Sequence, residues 1–362
     1  MISNQILQNT IDGMKNIARV DFSVLDSEGK EVATTSANHE SYRNIAAEFA
    51  KSPADSQEIK GCQYFKIFDD NLAEYILVVS GSGEDAYLVG KMAAFQIQNL
   101  MVAYKERFDK DNFIKNLLLD NLLLIDIYSR SKKLHIETDL PRVVMVMESD
   151  TKKDVNVLEI VRACVGFNNK DFVTAVDEKD VIIVKDLSEG STAKDIVKAS
   201  TAIVKSLEKE GVTGVRVAYG TMVHEIKEVS RSYKEAKMAM DVGKIFYEDR
   251  NIIAYDQLGI GRLIYQLPLP LCKMFIKEIF QDKTPENFDE ETLTTINKFF
   301  ENSLNVSETS RQLFIHRNTL VYRLDKLQKS TGLDLRIFDD AITFHIALMV
   351  VKYMKYMETF EF

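Results

Sequence analysis

At 362 residues the chain is too long for one ordinary domain, and two or three are expected. Its 46% hydrophobic and 28% charged residues allow an ample globular core, and a net charge of -9 excludes indiscriminate coating of nucleic acid. Any nucleic-acid binding has to rest on a local basic patch.

Cys62, Cys164 and Cys272 lie far apart, without metal or redox spacing, as in a reducing compartment. No apolar stretch approaches the ~20 residues that span a bilayer. The N-terminus lacks a basic-then-apolar signal design, so a cytoplasmic protein with no membrane partner is expected.

Residues 1–90 read as a small α/β unit. A helix through Ile6, Ile11, Met14 and Ile17 leads to a strand at 21–25, and Asp26-Ser27-Glu28-Gly29 turns the chain into a return strand at 31–34. Further strands are expected at 63–68 and 74–80 across a turn at 69–71, with a helix inserted at 42–50. That layout is the one of a PAS-like sensor. Gly81-Ser82-Gly83 matches neither glycine fingerprint for phosphate and is read as the end of a strand. Arg19, Tyr64 and Lys66 are candidates to line a pocket, weighed against surface or packing roles.

Residues 91–136 read as linker helices. Ala94, Ile97, Met101, Tyr104 and Phe108 repeat at three and four, as a heptad seam does. After Asp109-Lys110-Asp111 a second helix, 113–128, is apolar nearly all round through Leu117, Leu118 and residues 122–125. Either these helices belong to a domain core or they pair two subunits.

Residues 137–256 carry a second α/β domain. Strands are expected at 142–147, 172–176, 181–185, 215–219 and 252–255. Helices run through Val157, Ile160, Val161 and Cys164, through 193–208 with Ile196, Val197, Ile203, Val204 and Leu207 inward, and through Val229, Tyr233, Ala236 and Met240. The order β-α-β-β-α-β is ferredoxin-like. The hairpin turn Asp177-Glu178-Lys179-Asp180 contains no glycine. Asp150, Glu178 and Asp180 are candidate metal ligands, outweighed by the reading as solvated turn carboxylates. No catalytic residue, cofactor or metal is expected.

Residues 257–362 are helical. Residues 258–263, LGIGRL, complete no phosphate-binding glycine pattern, and Leu267-Pro268-Leu269-Pro270 interrupts the chain before a helix at 272–280. Thr284-Pro285 opens the last unit, with a core at 288–354. Its supporting helix uses Leu293, Ile296, Phe299 and Phe300, and its final helix, 339–353, uses Ile342, Ile346, Met349 and Val350. His345 is read as packed against that core.

Between these helices stands 305–332, NVSETSRQLFIHRNTLVYRLDKLQKSTG. Ser307 is a good N-cap, Glu308 suits a helix start, and Leu313 and Ile315 close a first helix onto a second. Leu320, Leu324 and Leu327 form the buried stripe of the second helix, and Gly332 ends it. These are the parts of a helix-turn-helix, whose second helix enters the major groove of DNA. Residues 310–329 hold five basic side chains (Arg311, Arg317, Arg323, Lys326, Lys329) against Asp325 alone, a local +4.

The run resembles the C-terminal DNA-binding domain of the PucR/CdaR group of bacterial regulators of purine catabolism and sugar diacids. The matching pieces are 305–310, the H-R-N-T-L of 316–320, the Y-R-L of 322–324 and the T-G-L-D of 331–334. Two departures are Ser310 at the usual small residue and Phe314 at the turn glycine. Residues 24–32 and 78–85 resemble the sensor domain of sugar-diacid regulators, and 137–256 is similar to their degenerate GGDEF-like domain. That resemblance implies a structural or dimerising middle domain without cyclase activity.

The whole is therefore read as a multidomain α/β plus all-α chain, with a PAS-like sensor, a ferredoxin-like middle domain and a C-terminal helix-turn-helix. The expected function is a sequence-specific DNA-binding transcriptional regulator governed by an unknown small-molecule effector. Its candidate DNA contacts are His316, Arg317, Asn318, Thr319, Tyr322, Arg323 and Lys326. Arg317 suits guanine and Asn318 adenine, Thr319 and Tyr322 suit a thymine methyl or a phosphate, and Arg323 and Lys326 suit the backbone. His316 serves equally well as the helix N-cap. Paired helix-turn-helix domains meet two half-sites, so a homodimer or higher homo-oligomer is expected, and the linker helices are favoured as its interface. The alternatives are a nucleotide-binding or cyclase-like signalling enzyme with an accessory helical domain, and a constitutive DNA scaffold.

Overall fold

The chain divides into two units, Met1–Ile114 and Lys115–Phe362. The computed structural model describes residues 2–36, 42–69, 72–150, 157–165, 170–176, 180–280 and 288–359. Among these residues no helix is long and apolar enough to cross a membrane.

The first unit runs α1 (Asn4–Ala18), β1 (Phe22–Asp26), β2 (Glu31–Thr34), α2 (Arg43–Ala50), β3 (Ser56–Ile59), β4 (Cys62–Asp69), β5 (Leu72–Ser80) and into α3 (Glu84–Leu118). The strands form one antiparallel sheet in the order β2-β1-β5-β4-β3. Leu7 and Ile11 of α1 and Ala93 and Ile97 of α3 bury one face with Phe22, Val24, Phe65, Ile67 and Leu77. Ala46 and Phe49 of α2 cover the other face, over Tyr64, Ile76 and Val78. Because both faces are covered, β5 is buried continuously from Tyr75 to Val79 rather than alternating. Gly90 lets α3 approach closely, since a Cβ there would meet the Phe65 ring at 2.1 Å.

Several expectations are corrected here. Ile17 is exposed on α1, where Leu7 takes the inward place. The edge strand β3 has the polar sequence SQEI, which gave no strand signal. Of the turn at 69–71, residues 70 and 71 lie outside the described residues. The seam of Ala94, Ile97, Met101 and Tyr104 lies on the sheet of its own unit, so it is core, and Phe108 is exposed. Residues 109–111 do not break the helix, because Lys110 bridges to Glu106 one turn away at 2.6 Å and suits helix. The break falls after Leu118, where Asp120 turns left-handed at φ 62° and accepts a hydrogen bond from Lys234 Nζ at 2.7 Å.

The second unit begins at the end of α3 and continues with α4 (Leu124–Lys133), β6 (Arg142–Glu148), α5 (Val157–Val165), β7 (Phe172–Ala175), β8 (Val181–Asp186), α6 (Ala193–Lys209), β9 (Arg216–Tyr219), α7 (Val229–Phe246) and β10 (Ile252–Ala254). The sheet order is β10-β9-β6-β8-β7. Without β10 this is the split βαβ order of a ferredoxin-like domain, and β10 adds itself parallel to β9. Inside it, Arg142 is 2% exposed and donates through Nε to Asp186 at 2.6 Å and through Nη2 to the Glu137 carbonyl at 2.7 Å. Val197 of α6 is exposed rather than inward. The residues 91–136 read as a separate linker divide between the two units. Tyr128 of α4 donates to Glu225, and Asp120 is held by Lys234 of α7.

Six more α-helices follow among the described residues: α8 (Ile260–Tyr265), α9 (Leu269–Phe280), α10 (Glu290–Glu301), α11 (Val306–Gln312), α12 (Arg317–Thr331) and α13 (Phe338–Glu358). Thr284-Pro285 lies outside the described residues. The expected boundary at 256–257 does not separate two cores. Ile245 and Phe246, the last turn of α7, lie in the same cluster as Ile264, Cys272, Phe299 and Phe344 of the later helices. Tyr265 of α8 donates to Asp241 of α7 at 2.8 Å. Ile342 is exposed, and Phe344 and Ala347 take the inward positions on α13. His345 is exposed as a residue, but it lays its ring against Phe300, 4.8 Å between ring centroids, so that its imidazole is partly covered.

Candidate nucleic-acid interface

The helix pair is α11 and α12. Its first helix is capped by Asn305, whose side chain accepts from the Glu308 amide at 3.1 Å. Ser307, expected as the cap, lies two residues further on inside the helix. The reason is local: Ser303 and Leu304 both turn left-handed (φ 50° and 62°), which delivers Asn305 in extended conformation to the cap position. Thr309 and Ser310 are buried where α11 meets α12, which requires small side chains there.

The turn follows at Phe314, which adopts φ 55° in place of glycine and is 95% exposed. The turn is tight nonetheless, with the Phe314 amide on the Arg311 carbonyl at 3.2 Å and the Ile315 amide on Ser310 at 3.0 Å. Left-handed backbone is costly for a bulky residue, so the position carries strain that glycine would relieve. His316 caps α12, its Nδ1 accepting from the Asn318 amide at 3.2 Å. Leu320, Leu324 and Leu327 are buried on the far side, and Gly332 ends the helix at φ 82° with its amide on Gln328 at 2.7 Å.

Among the candidate DNA contacts, His316, Arg317, Asn318, Thr319, Tyr322 and Lys326 are exposed. They occupy the N-terminal tip and outer side of α12, opposite the leucine stripe. Arg317 Nη1 donates to Ser307 Oγ at 3.0 Å, which steadies the guanidinium across the mouth of the helix pair. Arg323 differs from the rest. It turns back to α10, donating through Nη1 to Thr295 Oγ1 at 3.0 Å and through Nη2 to the Glu291 carboxylate. Of the other cations in the +4 patch, Arg311 is taken by Glu308 at 2.7 Å, whereas Lys326 and Lys329 stand exposed, in no ion pair among the described residues. Arg311 and Gln312 hold the Glu308 carboxyl below its ordinary range, and the Thr292 hydrogen bonds do the same for Asp289 at the start of α10.

The role of Asn305, the Ser307–Arg317 contact and the Glu291 tether escaped the sequence reading. An Asn just before an apolar-periodic run was a visible cap signal. The Glu291–Arg323 pair joins residues 32 apart and left none.

In the other candidate places, Tyr64 and Lys66 lie under α2 on one face of the sheet. Lys66 donates to the Ser52 carbonyl and stands 5.2 Å from the Phe49 ring centroid. Arg19 is apart from them, at the left-handed end of α1. In the middle domain Asp180 is buried and paired with Lys237, Asp150 lies against Gly214, and Glu178 is outside the described residues.

Comparison with known proteins agrees with this geometry. The PucR C-terminal helix-turn-helix domain matches residues 292–350, and the GGDEF-like domain matches residues 122–242. The chain is 24% identical over 299 residues to the carbohydrate diacid regulator of Escherichia coli (strain K12), covering 78% of this chain and 74% of that protein. It is 25% identical over 233 residues to the proline-responsive transcriptional activator PutR of Bacillus subtilis (strain 168), covering 60% and 56%. It is 25% identical over 135 residues to the purine catabolism regulatory protein of the same organism, covering 36% and 25%. The helix pair is thus that of the PucR C-terminal helix-turn-helix domain, and the relatives matched are transcriptional regulators of the PucR/CdaR type.

Proposed function

We propose that this regulator reads its operator with the tip of α12 and is switched by a small metabolite bound in the first unit. The observation that carries the DNA reading is the exposed run His316-Arg317-Asn318-Thr319, presented by a helix whose opposite side is buried leucine. Arg317 supplies a two-pronged donor for guanine O6 and N7, and Asn318 a donor and acceptor for adenine. Tyr322 and Lys326, a turn further along, reach sugar and phosphate and fix the register. Arg323 braces the recognition helix instead of touching DNA.

The sheet order β2-β1-β5-β4-β3 with a helical insert on one face supports a PAS-like sensor. Tyr64 and Lys66, under the insert, are the first residues to test for the effector. Carbohydrate diacids are the first ligands to try, given the name of the relative matched over most of its length. The middle domain holds structure rather than chemistry in this reading: Asp180 is committed to Lys237, and the hairpin turn has no glycine to admit a phosphate. Incubation with GTP and magnesium tests the cyclase alternative, which cyclic-nucleotide production would revive.

Genome-wide recovery of bound DNA identifies the operator. On that operator Arg317→Ala costs about 1–3 kcal/mol at a single base pair, while Lys326→Ala weakens all sequences alike and lowers the salt slope by about one. Normal discrimination by Arg317→Ala would remove that residue from the reading.

A further inference from the structure

The long helix α3 is apolar on two opposite sides. One side is accounted for, since Ala93 and Ile97 are buried on the sheet of the first unit, with Ala94, Met101 and Tyr104 partly buried beside them. On the other side Leu88, Met92, Phe95 and Val102 are each more than half exposed. With Asn99 the steps along this second stripe are four, three, four and three. Scattered exposed apolar residues need no account, but a helix apolar on both sides requires cover on both.

A seam at that spacing packs knobs into holes only against another helix of the same repeat. Among the described residues no other helix carries four exposed apolar side chains in such a series. A second copy of α3 does. We propose that two chains pair in parallel along α3, with Met92 and Asn99 at a positions and Leu88, Phe95 and Val102 at d positions. Asn99 fixes both direction and register. In the parallel pair its amide meets the amide of its own counterpart, whereas in an antiparallel pair a positions face d positions, so it would be buried against Leu88 or Phe95 without a partner. The seam is also bounded. The preceding a position is Asp85, and the next a and d positions are Glu106 and Asp109, so like charges would face one another beyond either end. This is a surface distinct from the expected seam through Ala94 and Ile97. It rests on the regulator reading, because a two-fold pair is what two operator half-sites require.

The test uses the full chain with the accessible thiols removed by Cys62→Ser and Cys164→Ser. Asn99→Cys in that background gives a covalent dimer on mild oxidation, because facing a positions lie within disulfide reach. Arg107→Cys, exposed and off the seam, does not. Phe95→Glu, a change at an exposed site, sediments as a monomer with unchanged helical circular dichroism. It also loses affinity for a two-half-site operator by on the order of 10²-fold or more, while single half-site binding stays the same. The proposal is overturned if Asn99→Cys does not cross-link and Phe95→Glu sediments as the parent does. The two readings fail separately. Cross-linking by a chain that binds no DNA keeps the seam and sinks the regulator, whereas an operator-bound dimer indifferent to both substitutions does the reverse.

Discussion

Arg323 offers the sharpest separation between bracing a recognition helix and contacting DNA. Its guanidinium bonds Thr295 Oγ1 at 3.0 Å and the Glu291 carboxylate, with side-chain exposures of 24% and 68% for the arginine and glutamate. An ion pair that open contributes about 0–1 kcal/mol, and the bond from the charged donor to threonine adds about 1 kcal/mol. Thr295 keeps its own bond to the Glu291 carbonyl at 2.8 Å, so removing the arginine orphans nothing buried. Arg323→Ala is therefore expected to cost about 1–2 kcal/mol, which for a unit of this size lowers Tm by roughly 2–8 °C. Each phosphate contact contributes about 0.9 to the salt slope of DNA binding. Fluorescence anisotropy across a salt series, beside thermal melts, should leave that slope unchanged in Arg323→Ala. Lys326→Ala should show the converse, an unchanged Tm and a slope lower by about one. If Arg323→Ala melts like the parent and loses a unit of slope, the arginine leaves Glu291 for a phosphate and the bracing role is wrong.

Phe314→Gly relieves a left-handed backbone while burying and exposing almost nothing. It should raise stability by about 1 kcal/mol after glycine's own entropy cost, read as a higher Tm, and a lower Tm would show that the ring is needed for the fold. Leu324→Ala removes the centre of the buried stripe and should cost about 2–5 kcal/mol in denaturant unfolding. His345 titrates below its ordinary value of 6.5, because cover by its surroundings and nearby Lys352 both disfavour the imidazolium. A depressed value means that its stabilisation is present above pH 6.5 and lost as pH falls through the lowered folded value. His345→Gln should therefore flatten the decline of Tm in mildly acidic buffer, and identical pH profiles would refute the assignment. Glu308 and Asp334, held down by Arg311 and Arg336, act with the same sign in the carboxylate range below it.

Regular, strongly periodic segments were legible from residues alone. The 3.6-residue spacing of Leu320, Leu324 and Leu327 has one physical solution, and the structure adopts it. The two sheets were readable from β-branched runs wherever both faces are covered, as in β5, β6 and β8. Illegible features came from competition between distant groups. The α3 break falls at Asp120, left-handed at φ 62° and paired with Lys234, 114 residues apart, and a single Asp-Asn step inside an apolar run announces it only weakly. The seam at Ala94 and Ile97 has coiled-coil spacing, but a sheet satisfies such a stripe as well as a helix does. Within the site, the exposed tip was readable because its buried complement is periodic. The divergence of Arg323 was not, because three basic residues on one helix face look alike until a carboxylate on another helix selects one.

The shared core at the end of α7 bears on how such regulators are taken apart and recombined. Ile245 and Phe246 share one core with the later helices, and α7 packs against α8 and α13, so excising a fragment at residue 257 would strip those two helices of their floor. A chimera that grafts this operator-reading end onto a foreign sensor should therefore carry the GGDEF-like domain along as its chassis.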